Sequence, residues 1–196
     1  MRLLAPALTT CVLAGCASTK IETLWKAPEA PAQKIQKFVV LAVAGSPSGR
    51  IAYEETLTQR LKEAGLPAVP GYDVVSWDEH PGRDEAVRRL KEKQIDGALV
   101  SRIDRADVKT QSSPVWVGYG VTTVGFYDYW YSPGAVATYT TEETNYVVET
   151  VLFGVNDGRA YWVARSNTSR TEPTKFAKDI AGPVAKSLKE SGLIAP

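Results

Sequence analysis

Apolar residues along the first half of the chain follow two different patterns, a continuous run and a helical spacing. Residues Phe38 to Val43 form a continuous apolar run, which is typical of a strand buried on both faces. Tyr53, Leu57 and Leu61 recur at helical spacing, so they predict the buried face of a helix. The predicted elements after the first strand are a helix over 50–64, an edge strand over 66–72, a helix over 81–93 and a strand over 96–103. This alternation predicts parallel strands joined by crossovers.

The second half contains two strand-like segments, over 140–155 and 159–168, joined by Asn156-Asp157-Gly158. Asp-Gly between apolar runs is a strong signal for a β-hairpin. The apolar residues of the first segment divide between its two faces, with Tyr146, Val148 and Leu152 on one and Val147, Val151 and Phe153 on the other. Since both faces are apolar, we expect helices or loops to cover both.

The last predicted element is a helix over 174–191. Its buried face is marked by apolar residues at every fourth position, which are Phe176, Ile180, Val184 and Leu188. Pro173 suits the first turn and Gly192 the end, while Pro183 predicts a kink. The elements together predict an α/β fold of α+β-like type: a mixed sheet of three parallel strands plus an antiparallel C-terminal hairpin, with about three helices.

The amino-terminal segment has the pattern of a secretory signal peptide rather than of a packed helix. Arg2 precedes a short apolar run over 3–13, and small residues follow it. The run is too short to cross a bilayer, for which about 20 residues are needed. We therefore predict that residues 1–15 are removed from the mature protein.

The residues at the predicted cleavage point make this assignment more specific. Leu13-Ala14-Gly15-Cys16 resembles the lipobox of bacterial lipoproteins, in which an aliphatic residue and two small residues precede a cysteine. The resemblance implies cleavage between Gly15 and Cys16, diacylglycerol on the Cys16 sulfur and an acylated amino terminus. Because Ala17 rather than Asp follows the cysteine, it also implies sorting to the outer membrane, on the periplasmic face.

Residues 16–36 are predicted to be a lipidated tether, and residues 37–196 a single domain. Two prolines, Pro28 and Pro31, and many small residues favour an extended, poorly packed segment. Trp25 is the exception within it. This residue either covers the edge of the domain or serves as an interfacial anchor near the lipid.

Charge and cysteine content exclude several classes of function. Removing residues 1–15 removes one of 23 Lys and Arg residues, which then balance the 22 Asp and Glu residues. A balanced chain has no general attraction for nucleic acid, so no nucleic-acid partner is expected. Cys11 leaves with the signal peptide and Cys16 carries lipid, so the mature domain has no thiol for a disulfide, a metal or catalysis.

The segment over 114–139 is the candidate partner-binding region. It is rich in glycine, contains one charged residue, Asp128, and is too long to be a mere connector. Its aromatic residues are Trp116, Tyr119, Phe126, Tyr127, Tyr129, Trp130, Tyr131 and Tyr139. Three interpretations stay open: a hairpin whose aromatic residues pack on the domain, a surface that contacts a partner or membrane, and a platform for stacking sugars.

Residues that could support catalysis are few. His80 is the only histidine, and Asp78 or Glu79 beside it is expected to cap the second helix. The carboxylates Glu142, Glu143 and Glu149 are expected at solvated edge positions. The turn Gly45-Ser-Pro-Ser-Gly49 lies where parallel sheets bind ligands, but its spacing favours a simple capped turn. No enzyme, metal site or cofactor is predicted.

As a set, several segments resemble those of a group of proteobacterial envelope lipoproteins of unknown function. They are Ile21 to Pro28, Lys37 to Val43, Leu61 to Pro70, Asp96 to Val100 and Gly158 to Ser166. The family's fold looks similar to that of the curli secretion lipoprotein, the amino-terminal domain of the Tol translocation protein and the penicillin-binding-protein activator lipoprotein. The resemblance implies a module that binds or assembles envelope proteins and supplies no catalytic residues.

The sequence therefore predicts a non-enzymatic binding or assembly module, anchored to outer-membrane lipid through Cys16 and contacting an envelope protein through the segment over 114–139. The alternative is a protein that binds or hydrolyses cell-wall peptidoglycan, centred on Glu142, Glu143 or His80.

Overall fold

The computed structural model describes residues 21–76, 79, 81–108, 125–126, 144–169 and 171–195. The strands in these residues are β1 (Ile21–Lys26), β2 (Phe38–Val43), β3 (Ala68–Pro70), β4 (Gly97–Val108), β5 (Thr144–Gly154) and β6 (Ala160–Thr168). The helices are α1 (Pro47–Glu63), α2 (Arg83–Glu92) and α3 (Pro173–Ser191), with a 3-10 turn at Gly71–Asp73. The six strands form one sheet in the order β1-β6-β5-β4-β2-β3.

The pairing of the strands confirms the predicted mixed sheet. Strand β2 lies between β3 and β4 and is parallel to both. Strand β5 is antiparallel to β4 and to β6, so the carboxyl-terminal hairpin joins the parallel part directly. The strand predicted over 66–72 is shorter than expected, and it occupies an edge, as its two prolines require.

Helices cover the sheet on both sides, which explains why β2 is apolar throughout. One face packs against α1 and α3 in a cluster that includes Leu57, Ile180 and Val184. The Tyr53 ring of α1 stacks on Phe176 of α3, with the ring centroids 5.9 Å apart. The other face packs against α2 in a second cluster with residues from the strands, including Leu90, Val39, Val100 and Phe153.

The hairpin of β5 and β6 confirms the expectation that both of its faces are covered. Tyr146, Val148 and Leu152 belong to the first cluster, and Val151 and Phe153 to the second. At the turn, Gly158 has a φ of 69°, a left-handed conformation that favours glycine. The Asp157 carboxylate accepts a hydrogen bond of 3.1 Å from the Arg159 amide and a second from the Tyr161 hydroxyl.

Strand β1 corrects the prediction of a poorly packed tether. Residues 21–26 pair antiparallel with β6, with Ile21 opposite Ser166 and Lys26 opposite Trp162. Trp25 packs against both clusters at the edge of the domain, as the covering interpretation of this residue requires. The prediction was wrong here because it counted prolines and small residues but not the open edge of β6, which β1 covers.

Helix α3 has the boundaries that the sequence predicts. Pro173 lies in its first turn, and Gly192 ends it with a φ of 69°. The helix runs through Pro183 and buries Ile180, Val184 and Leu188, among others.

Candidate docking end of the domain

The candidate segment is inserted between two strands that are direct neighbours. Val108 at the end of β4 pairs with Thr144 at the start of β5. Antiparallel neighbours can be joined by a two-residue hairpin, so residues 109–143 are not needed for the connection itself. The predicted partner-binding residues of this insertion that lie outside the described residues are Trp116, Tyr119, Tyr127, Tyr129, Trp130 and Tyr131.

Phe126 is described, and it is buried rather than available to a partner. Its side chain is 1% exposed and belongs to the second core cluster, so packing is its role in this conformation. A Cβ on neighbouring Gly125 would lie 3.7 Å from the carbonyl oxygen of Gly158. Gly158 follows the end of β5 that pairs with the start of β4. Val108 and Gly125 therefore lie towards opposite ends of the β4–β5 pair.

A row of charged residues that was not predicted from the sequence crosses the sheet near the insertion. Arg102 of β4 is paired in register with Glu149 of β5, which is paired with Arg165 of β6. The Arg165 guanidinium lies 3.7 Å from the Glu149 carboxylate and 3.5 Å from that of Asp104. By the alternation of strands, these three paired residues share a face with Val100, Val151 and Val163 of the second cluster.

Glu149 thus corrects the prediction that it occupies a solvated edge. The residue is 3% exposed and Arg102 is 6% exposed, because β5 lies inside the sheet between β4 and β6. A buried carboxylate requires a charged or hydrogen-bonding partner, which the neighbouring Arg165 supplies. The signal was present in the sequence, since strand alternation places Arg102 on the same face as Val100.

A second buried ion pair closes the carboxyl end of β2. In α1, the Arg50 Nε donates to Glu54 Oε1 at 2.8 Å, and both side chains are almost fully buried. Glu54 also accepts hydrogen bonds from the backbone amides of Ala42, at 3.0 Å, and Tyr72, at 2.8 Å. Burial raises the pKa of Glu54 above its usual value, against the lowering effect of Arg50 and the two amides.

The Arg50–Glu54 pair lies at the carboxyl end of a parallel strand, which is where parallel sheets commonly bind ligands. Here the chain's own groups fill it, because Arg50 Nη2 also donates to the carbonyl of Val75 at 2.9 Å. A Cβ on Gly71 would lie 2.4 Å from Leu41 and 2.9 Å from Glu54 Oε1, so the close approach of this segment requires glycine.

The turn over 45–49 confirms the interpretation as a simple capped turn. Ser46 is the N-cap of α1, and its Oγ accepts a hydrogen bond of 3.1 Å from the Gly49 amide. Pro47 occupies the first turn, so the helix begins at 47 rather than at 50.

The remaining candidate catalytic residues are not brought together by the described part of the structure. His80, Asp78, Glu142 and Glu143 lie outside the described residues. The predicted cap of the second helix was wrong: Gly82 is the N-cap of α2, with no side-chain hydrogen bond. Glu79 instead forms an ion pair with Arg89 of α2. In the described ranges there is no group of three or more potential metal ligands.

The predicted cleavage site between Gly15 and Cys16, and the predicted lipidation site at Cys16, also lie outside the described residues, and β1 begins at Ile21. None of the helices described here is long and apolar enough to span a membrane.

No protein-family model matches the chain, and no curated protein matches it either. Among solved structures it is similar to PelC, a dodecamer from Paraburkholderia phytofirmans, with 15% identity and a TM-score of 0.45 over 85% of this chain and 95% of that one. Lipoprotein GNA1162 from Neisseria meningitidis is 13% identical, with a TM-score of 0.38 over 79% of this chain and 99% of that one.

TolB from Acinetobacter baumannii is 10% identical, with a TM-score of 0.36 over 88% of this chain and 31% of that one. At these identities and TM-scores, the function has to be argued from this chain's own residues.

Proposed function

We propose that the protein is a lipoprotein on the periplasmic face of the outer membrane, and that it acts as a non-enzymatic binding or assembly module. Its partner is an envelope protein, contacted through the insertion between β4 and β5. The observation that carries the proposal is the direct pairing of Val108 with Thr144 on either side of residues 109–143.

The insertion has the composition of a protein-binding surface. Tyr and Trp are enriched at such surfaces and charged residues are depleted at their centres. Between Lys109 and Glu142 the only charged residue is Asp128, whereas 23% of the whole chain is charged. A long connection between strands that already pair is uncommon unless it has a use of its own.

The environments of the buried carboxylates Glu54 in α1 and Glu149 in β5 support a structural rather than a catalytic role for these two residues. Glu54 accepts hydrogen bonds from Arg50 and two backbone amides, and Glu149 lies next to Arg165. Both therefore hold elements of the fold together.

The test is photo-crosslinking in intact cells with a photoreactive residue at position 130. The matched control carries the same residue at position 91, an exposed site on α2. The proposal predicts a discrete protein adduct from position 130 that position 91 does not give. It also predicts that replacing Tyr129 and Tyr131 by Ser, with Phe126 retained, weakens that adduct.

Adducts that are the same from both positions, or an adduct with cell-wall glycan in place of protein, would contradict the proposal. The second of these results would favour the peptidoglycan-binding alternative.

A further inference from the structure

Strand β1 is held on the sheet more loosely than the strands inside it. No residue of β1 is fully buried, whereas five of the six residues of β2 are. The strand lies at one edge of the sheet, next to β6, and its register with β6 shifts between Thr23 and Trp25. Few buried contacts and a single neighbouring strand are features of segments that open locally while the rest of a protein stays folded.

The side chains of β1 add few contacts to this pairing. Ile21 and Trp25 are half-buried and pack against the core clusters. The Thr23 hydroxyl is hydrogen-bonded to the Ser187 hydroxyl of α3, with the oxygens 2.9 Å apart. Leu24 lies at the shift in register and is 39% exposed. Trp25 is therefore the largest apolar group that would be lost from the domain surface if β1 left the sheet.

The loop that follows β1 is also weakly attached. Among residues 27–34 only Ala27 is buried, and its amide donates to the carbonyl of Tyr161 at 2.9 Å. Glu29 lies 3.6 Å from Arg159, but both side chains are more than half exposed, so water screens this ion pair.

Firm attachment of the chain begins at Ile35, which is 2% exposed. Its amide donates to the carbonyl of Leu193, and its carbonyl accepts from the amide of Ala195, both at 2.9 Å. Strand β2 follows at Phe38, inside the sheet. Residues 21–34 could therefore leave together without removing a strand from the middle of the sheet.

The position of β1 sets the length of the link to Cys16. With β1 in the sheet, residues 17–20 join Cys16 to Ile21, and an extended chain over this interval spans at most about 18 Å. With β1 released, the link runs from Cys16 to Ile35 and spans at most about 68 Å.

We propose that β1 is a releasable strand, which exchanges between the sheet and the tether and so gives the domain a short and a long connection to the bilayer. The inference rests on the proposed acylation of Cys16. The short state keeps the domain close to the lipid, whereas the long state lets the insertion meet a partner up to about 50 Å further away. The length of the link thereby sets the effective concentration at which a partner is met.

The test is amide hydrogen exchange, resolved by NMR, in the acylated protein in detergent micelles. The Ala27 amide reports on β1, and the amides of β2 report on opening of the whole domain. The proposal predicts that Ala27 exchanges about tenfold or more faster than the β2 amides. Equal rates would overturn it, because β1 would then leave only when the domain unfolds.

A disulfide between β1 and β6 separates release of the strand from fraying at Ala27. Thr23 and Ala164 are paired in register, and Cα atoms of such pairs lie about 4.5–5.5 Å apart, which a disulfide can bridge. In Thr23→Cys/Ala164→Cys, we expect Ala27 to exchange about tenfold or more slowly with the disulfide formed than with it reduced. The same rate in both forms would contradict the proposal.

The matched control is a disulfide in the same sheet that does not involve β1. Ser101 of β4 and Thr150 of β5 are paired in register, with their hydroxyl oxygens 3.0 Å apart. Ser101→Cys/Thr150→Cys should leave Ala27 exchange unchanged. Equal slowing by the two disulfides would show a general stiffening of the sheet and would count against release of β1.

Trp25→Ser tests the link between release and reach. The loss of a half-buried ring should accelerate Ala27 exchange by about tenfold or more, with the β2 amides little changed. In vesicles, energy transfer from a dye on Lys91→Cys, at an exposed site on α2, to dyes in the bilayer should then fall. The 23–164 disulfide should restore it. Equal acceleration of the β2 amides, or unchanged energy transfer, would overturn the proposal.

Intact-mass spectrometry of the same preparations separates this result from the proposed address. Cys11 and Cys16 are the only cysteines of the chain, and neither is a free thiol in the acylated mature protein. An unmodified Cys16 would overturn the address and, with it, the tether. An acylated Cys16 with Ala27 as slow to exchange as β2 would overturn the releasable strand alone.

Discussion

Glu54 and Glu149 are carboxylates in elements that the sequence predicts well, and both are buried. Glu54 lies on the stripe of α1 that contains Leu57 and Leu61, where apolar spacing alone gives no reason for a charge. The backbone amides that donate hydrogen bonds to Glu54 belong to Ala42 and Tyr72, which are distant from it along the chain. The residue spacing within α1 therefore does not predict them. At the scale of single residues, sequence patterning therefore located the buried positions but missed the charges that occupy them.

The pH dependence of stability should reveal the buried Glu54. Because burial raises its folded-state pKa, the folded protein holds this proton more tightly than the unfolded chain does. The stability that Glu54 gains from its raised pKa is fully present below about pH 4, near the usual pKa of glutamate. It is lost as the pH rises through the raised pKa of the folded state.

Urea unfolding of the wild type and Glu54→Gln between about pH 4 and pH 8 checks this prediction. The variant leaves at least one buried donor without its acceptor, so it should lose about 1–3 kcal/mol at low pH, and the difference should shrink as the pH rises. A difference that grows with pH would show instead that the ionised carboxylate dominates.

Removing the charge from Glu149 should destabilise the fold strongly. Glu149→Gln leaves Arg102 and Arg165 on a buried face of the sheet without this carboxylate. Breaking a buried pair costs about 3–5 kcal/mol, and because Arg165 is 33% exposed we expect about 2–4 kcal/mol here.

The matched control is Glu190→Gln, which removes a carboxylate that is 66% exposed and pairs with Lys186 at 3.9 Å. Its effect on the free energy of unfolding should stay within about 0.5 kcal/mol. Equal effects of the two substitutions would contradict the role given to the row of charges.

Among the elements, the cap of α1 offers a direct comparison between two serines that are two residues apart, Ser46 and Ser48. Ser46→Ala removes the acceptor of the Gly49 amide and should cost about 1 kcal/mol of unfolding free energy. Ser48→Ala, at an exposed position in the first turn, should cost much less. Thermal or urea unfolding measures both, and an equal loss from each serine would argue against the cap.

Some elements of the fold could be predicted from the sequence, and others could not. The run of β2, the hairpin of β5 and β6 and the ends of α3 were predictable, because each carries a strong local signal: continuous apolar residues, Asp-Gly, and flanking Pro and Gly. Strand β1 was missed because it has no such signal and forms only against β6. The site of the insertion was predictable from its composition, but the direct pairing of Val108 with Thr144 was not.

At the scale of the whole molecule, Phe126 joins the insertion to the second core cluster. Phe126→Ala should therefore lower the free energy of unfolding by about 3–5 kcal/mol, as expected for a fully buried ring. Phe126→Leu, which keeps most of the apolar volume, should be considerably milder. A loss below about 1 kcal/mol for the alanine variant would show that this ring does not anchor the insertion in solution.

The proposed location of the molecule depends on acylation of Cys16. Two or three acyl chains hold a protein firmly on a membrane, whereas the folded domain has no spanning helix among its described residues. Replacement of the cysteine should release the whole domain, because the large apolar side chains exposed in the described part of the chain are only Leu24, Ile51 and Ile103.

The most direct measurement is the intact mass and membrane partition of the protein purified from a bacterial envelope, compared with Cys16→Ser. The account predicts a chain that begins at residue 16, carries the added mass of acyl chains and floats with outer-membrane vesicles, while the serine variant is not acylated and no longer partitions into those vesicles. A chain that keeps residues 1–15, or a serine variant that stays equally membrane-bound, would contradict it.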